Sequence, residues 1–139
     1  MGTETLRRIQ VSSIREKEDL HIRRLSETDE LGQFDYLVDL GLRLGRDGET
    51  EVEENRIEGC RTAIWLKMDG RTVRASSDSL VVLGLLSILK DIYDGRSPSE
   101  IRANPIRFLD AISVHVVYPE IRENGIRRCF EIITASKEV

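Results

Sequence analysis

The sequence has almost no cysteine. Cys60 and Cys129 are the only two in 139 residues, which excludes a disulfide framework and leaves thiol chemistry or none. Long apolar runs are missing too. The longest, Leu80 to Leu89, is interrupted by Gly84 and Ser87 and falls well short of the roughly 20 residues that span a bilayer. It predicts a buried helix and no membrane partner. Residues 1–10 carry arginines but no apolar core of signal-peptide length. A cytoplasmic location, where both cysteines stay reduced, is therefore expected. No P-loop, dinucleotide fingerprint, HExxH or CxxC occurs. An overall basic charge is absent as well: a net charge of -4 and a pI near 5.3 argue against nucleic acid as a partner, because phosphate binding wants a concentrated basic face.

What is present is an ordinary globular composition, 40% hydrophobic and 33% charged. The chain is long enough for one domain that buries about two thirds of its unfolded surface. Charge is uneven along it. Residues 1–25 hold six Lys and Arg against four Asp and Glu, and the remainder fifteen against twenty-one. Leu6, Ile9, Ile14, Ile22 and Leu25 fit a helical period loosely, with Ser12 and Ser13 as a break. Residues 1–25 are therefore read as a basic, helical N-terminal extension, a solvated face more than a polyanion-binding arm, and residues 26–139 as the main domain.

Leu31, Phe34, Leu37, Val38, Gly41 and Leu42 predict a helix that packs on the core, ended by Gly45 and Gly48. The acidic run "GRDGETEVEEN" reads as a solvated loop. Ile64, Leu66 and Met68 then alternate with Ala63, Trp65 and Lys67, as a strand with one buried face does. Asp69-Gly70 predicts a type I′ turn into a returning strand over residues 71–75. A helix apolar almost all round follows, from Ser79 to Tyr93, and must lie centrally. "SPSEI" opens a short helix with Ser97 as cap and Pro98 at its first position. Another short helix is expected after Pro105, and a last one from Asn124-Gly125 with Ile126, Cys129, Phe130 and Ile133 on one face. The order predicts an α+β fold, a small antiparallel sheet of about three strands covered by helices.

The two cysteines differ in setting. Cys129 lies on the apolar face of the last helix and reads as a small core hydrophobe. Cys60 follows Gly59, precedes Arg61 and sits at a loop-to-strand boundary; position alone leaves both a structural and a reactive role open. A metal site would have to be assembled from Cys60, Cys129, His21 and His115 without the close pairs such sites use, so none is expected. His115 reads as a core or loop histidine, and with no triad partner in evidence a cysteine hydrolase is disfavoured.

"EENRIEGCRTAIWL" resembles the active-cysteine segment of the SufE family of sulfur-acceptor proteins, E-x-N-x-[IV]-x-G-C-Q-S-x-V-W, matched by Asn55, Ile57, Gly59, Cys60 and Trp65. Upstream, "FDYLVDLGLRL" is similar to the family's Y-L-I-E-L-G. Downstream, "SSDSLVVLGLLSILKDIYDGRSPSEI" resembles its S-D-x-x-I-V-x-G-L helix and S-G-x-[ST]-P-E-E-I, and the likeness continues through "NPIRFLDAI" to "RENGI", like S-R-S-N-G-L. It runs in register from about residue 30 to 135.

This resemblance implies a SufE-like fold and a sulfur carrier in iron-sulfur cluster assembly. A cysteine desulfurase hands the outer sulfur of its persulfide to Cys60, is stimulated by doing so, and the sulfur passes on to an iron-sulfur scaffold complex. No cofactor is implied beyond the covalent persulfide on Cys60. Glu58, Gly59 and Arg61 would shape the loop, and Arg122, Asn124 and Gly125 match the family's R-x-N-G. The residues agree with this chemistry. Persulfide transfer is thiol exchange and needs one thiolate, and glycine beside the thiol permits close approach of a partner. The Arg61 guanidinium is expected to favour the thiolate, opposed by Glu58, and the resting loop is expected to fold Cys60 toward apolar side chains. Two features depart from the pattern: Arg61-Thr62-Ala63 replaces Q-S-x, and the segment 116–121 is about two residues longer. A non-catalytic module that docks on a desulfurase without carrying sulfur is the alternative. An iron-sulfur scaffold, with about three cysteine ligands, does not fit the cysteine count.

Overall fold

The computed structural model describes residues 13–135. Residues 1–12 of the expected extension and 136–139 of the expected main domain lie outside it. Helix α1 (Ile14–Ser26) starts at Ser13, whose hydroxyl accepts the Glu16 N–H while the Glu16 carboxylate accepts the Ser13 N–H. This reciprocal cap explains why the helix begins at the second serine. Helix α2 (Glu30–Leu44) is capped by Asp29 and stopped at Gly45. Strands β1 (Ile64–Asp69) and β2 (Thr72–Ser77) form an antiparallel hairpin. Helix α3 (Leu80–Tyr93) follows its Ser79 cap, α4 (Pro98–Arg102) its Ser97 cap, and a 3₁₀ turn spans Phe108–Ala111. A π turn over Ile121–Ile126 runs straight into α5 (Arg127–Ala135).

Helix α3 is the centre of the molecule. Val82, Leu85, Leu86, Ile88, Leu89, Ile92 and Tyr93 are fully buried, and α1, α2 and β2 all pack against it. Ile14 and Leu25 of α1 join the same core. So does the carboxylate of Glu18, which is fully buried and accepts the Arg107 and Phe108 N–H groups at 2.6 and 3.0 Å. A buried carboxylate needs such partners, and these tie α1 to the 3₁₀ turn.

The α+β class holds, with one fewer strand than expected. Among the described residues the sheet has two strands, and Arg56 adds only a single bridge to Trp65. The hairpin turn also differs. Asp69 pairs with Thr72, so the loop is Gly70-Arg71, and Gly70 alone has positive φ, at 61°. A turn with glycine first needs one left-handed residue where type I′ needs two. The expected register would have set Arg71 opposite Met68 on the core face; the observed one pairs Met68 with Val73 and Ile64 with Ser77.

Helix α2 buries a different face from the one its bulkiest residues suggest. Gln33, Leu37 and Gly41 point inward, while Leu31, Phe34 and Leu42 are exposed. The cause is a backbone crossing. A methyl group on Gly41 would lie 2.2 Å from the Leu80 carbonyl oxygen, and one on Gly84 would lie 2.1 Å from that of Leu37. Only glycines allow this approach, and it sets the rotation of α2.

The acidic run is not a free solvated loop. Asp47 accepts two bonds from Arg74, Glu51 accepts from Arg46 and Ser76, and Thr50 is buried. Its charges fasten the segment along β2.

Candidate functional site

The six residues 58–63 form a loop closed at its base. The Ile57 N–H donates to the Ile64 carbonyl at 2.8 Å, Arg56 bridges Trp65, and the Ser77 hydroxyl donates to the Ala63 carbonyl at 2.7 Å. Each residue of the sequence motif has a part in this. Asn55 donates its side-chain amide to the Thr50 carbonyl, Ile57 is 2% exposed, and the guanidinium groups of Arg46 and Arg56 each lie over the Trp65 ring, 5.9 and 5.8 Å from its centroid. Gly59 has φ 84°, in the left-handed region, so the chain reverses there and delivers Cys60 inward.

Cys60 is 8% exposed. Its sulfur faces Gly125 in the π turn: a methyl group at position 125 would stand 3.7 Å from Sγ and 2.9 Å from the Ile64 Cδ1. An inserted residue of the π turn thus brings helix backbone against the thiol, and such turns recur at functional sites. The last helix therefore begins before Asn124-Gly125, which lie inside the turn instead of capping it.

Burial pushes the Cys60 thiol up from its ordinary value; the Thr62 N–H, directed at the sulfur, opposes this, Glu120 reinforces it, and Arg56 opposes it. The charges that act on the thiol are thus Arg56 and Glu120, where Arg61 and Glu58 were expected. Arg61 takes part through its backbone, whose N–H donates to Glu120 Oε1 at 3.1 Å, and its side chain is exposed, as is Glu58. Arg56 could have been noticed as the cation at the loop's base. Glu120 lies 59 positions from Arg61 and gave no local signal beyond its place in the longer segment 116–121.

The R-x-N-G residues separate. Arg122 is buried and donates to the carbonyls of Val117 (2.8 Å), Leu109 and Ile112, which fixes the loop before the π turn. Asn124 is exposed, and of the three only Gly125 is placed facing the thiol. Cys129, one turn further along, is fully buried, and burial above all pushes its thiol up to about 12. It is a protonated core residue. His21 is held by Tyr36 and Asp91 at 2.7 and 2.8 Å, and the exposed His115 by Glu30 at 2.9 Å. Among the described residues no three His, Cys, Asp or Glu side chains converge to hold a metal, and no helix is long and apolar enough to cross a membrane.

The family model SufE, the Fe-S metabolism associated domain, matches residues 21–137. The chain belongs to the SufE family. A curated SufE-like protein of Rhizobium meliloti (strain 1021), itself uncharacterized, is 27% identical over 116 residues, covering 76% of this chain and 83% of that protein. The solution structure of a hypothetical protein from Thermus thermophilus superposes with a TM-score of 0.62 at 16% identity, covering 86% of this chain and 91% of that one. That neighbour shares the fold. The SufE match begins within α1, so about the first two turns of that helix precede it.

Proposed function

We propose that this SufE protein accepts sulfur on Cys60. A cysteine desulfurase presents a persulfide on its own cysteine; the Cys60 thiolate attacks the outer sulfur, the sulfur–sulfur bond of the donor breaks, and the donor cysteine leaves as thiolate. Cys60 then carries the sulfane sulfur to an iron-sulfur scaffold. The exchange suits a reducing cytoplasm, where both thiols stay available, and it requires no cofactor besides the covalent persulfide.

The observation that carries this reading is the Cys60 loop. A thiol 8% exposed, within a loop that turns at Gly59 and is closed at its base, is stored away from solvent yet lies on a segment a partner can draw out. Storage matters, because an exposed persulfide is open to oxidation and exchange.

One feature favours the alternative, a docking module that carries no sulfur: burial pushes the resting thiol up from its ordinary value, which lowers the thiolate fraction on which nucleophilicity depends. Desulfurase turnover separates the two. Cys60→Ser keeps the size of the side chain and removes the nucleophile. The carrier reading expects wild-type protein to accelerate a desulfurase and the variant to give no sustained acceleration. Equal stimulation by both would leave the docking module.

A further inference from the structure

Glu120 is assigned no role by the sequence motif, yet it stands near the thiol on a segment tied to the rest of the chain. It follows Pro119 in the helical stretch that leads into the π turn, with the Ile121 and Arg122 N–H groups both donating to the Tyr118 carbonyl. The segment just before it is held by the three carbonyl bonds of Arg122. From this position its carboxylate reaches across to the Cys60 loop and accepts the Arg61 N–H at 3.1 Å. Among the described residues, the loop's other hydrogen bonds to elements outside residues 58–62 lie at its base; the Glu120 bond is made next to the thiol itself.

We propose that Glu120 is a positioning residue for Cys60: its carboxylate latches the loop through the Arg61 N–H and sets a negative charge beside the sulfur. The inference rests on Cys60 being the acceptor. Both consequences act in the same direction. While the latch is closed, the loop covers the sulfur and the carboxylate disfavours the thiolate, partly countered by Arg56. Once a partner draws the loop away, the bond to Arg61 is lost and the sulfur leaves the carboxylate behind. Opening the loop and activating the thiol are then one event. Arg56 and Glu120 are the charged groups that act on the sulfur, and Glu58 and Arg61 are the exposed charged side chains on its own loop.

The test is the pH–rate profile for alkylation of Cys60 by iodoacetamide, read by peptide mass spectrometry so that Cys129 is scored separately. Glu120→Gln keeps an oxygen that can accept the Arg61 N–H and removes the charge; Glu120→Ala removes both. The midpoint should fall by about half a pH unit in both variants, as loss of one nearby partly solvated charge produces. The plateau rate at high pH should rise at least about threefold in Glu120→Ala only, because only there is the loop released. A midpoint unchanged in either variant, or a plateau unchanged in Glu120→Ala, overturns the assignment. Iodoacetamide is not a sulfur donor, so the result is independent of whether Cys60 accepts persulfide. Failure of sulfur loading with a shifted profile would remove the proposed function and leave the latch.

Discussion

Gly125 faces the sulfur of Cys60 beside the tip of Ile64: a methyl group there would make an ordinary contact with Sγ at 3.7 Å but would press on the Ile64 Cδ1 at 2.9 Å. The loop and the last helix are therefore shaped to one another. Gly125→Ala should fold, since the closer atom is the end of a flexible side chain. It should lose about 1 kcal/mol through overpacking and expose Cys60. Urea midpoints and the alkylation rate of Cys60 measure both; a rate equal to wild type would mean that the loop is not seated on Gly125.

The crossing of α2 and α3 offers less room. At Gly41 and Gly84 the atoms met are backbone carbonyl oxygens at 2.2 and 2.1 Å, which cannot move without separating the helices. Gly41→Ala should lower stability by about 2 to 3 kcal/mol. Leu31→Ala, on the exposed side of the same helix at 68% exposure, should change it by less than about 0.5 kcal/mol. Sequence periodicity alone would rank the two the other way round.

Arg122 acts as a strut. Removing its guanidinium leaves the carbonyls of Leu109, Ile112 and Val117 without that donor. Arg122→Met should cost about 3 kcal/mol and speed amide exchange over residues 109–117. Arg122→Lys, which cannot span three acceptors with one ammonium group, should recover only part of the loss.

Cys129 gives a pH dependence whose sign follows from its burial. Its thiol rises from an ordinary 9.0 to about 12 in the folded chain. Below pH about 9 it is neutral in both states and the stabilisation is complete. Between about 9 and 12 the unfolded chain gives up the proton and the folded chain keeps it, so stability falls as pH rises. Wild type should therefore exceed Cys129→Ala in stability at pH 7, and the gap should narrow steadily toward pH 11. A constant gap in urea denaturation would show the thiol to be solvated. Cys129→Ser should lose about 1 to 3 kcal/mol, as a hydroxyl buried in place of a thiol does, and should still accept sulfur.

The elements legible in the sequence were those whose signal is local. The all-round apolar run of α3, the alternation at Ile64–Met68 and the apolar setting of Cys129 each state their surroundings directly. What was not legible depends on segments meeting from afar. The face of α2 is chosen by two glycines 43 positions apart, Gly41 and Gly84, and not by its largest side chains. The hairpin register turned on a single left-handed glycine. At the site, Cys60 and Gly59 stood out through the resemblance carried by the residues around them, since position alone left the role of the thiol open. The charges beside the thiol did not: adjacency in sequence pointed to Arg61, whereas the folded loop turns that side chain outward and leaves Arg56 and Glu120 to act.

The central claim is that Cys60 carries sulfur, and intact-mass spectrometry after incubation with a cysteine desulfurase and free cysteine tests it most directly. Wild type and Cys129→Ser should each gain about 32 Da, the mass of one transferred sulfur atom, lost again on treatment with a reducing thiol, and Cys60→Ser should gain nothing. Sulfur on Cys60→Ser, or none on the wild type beside a turning-over desulfurase, would contradict the account.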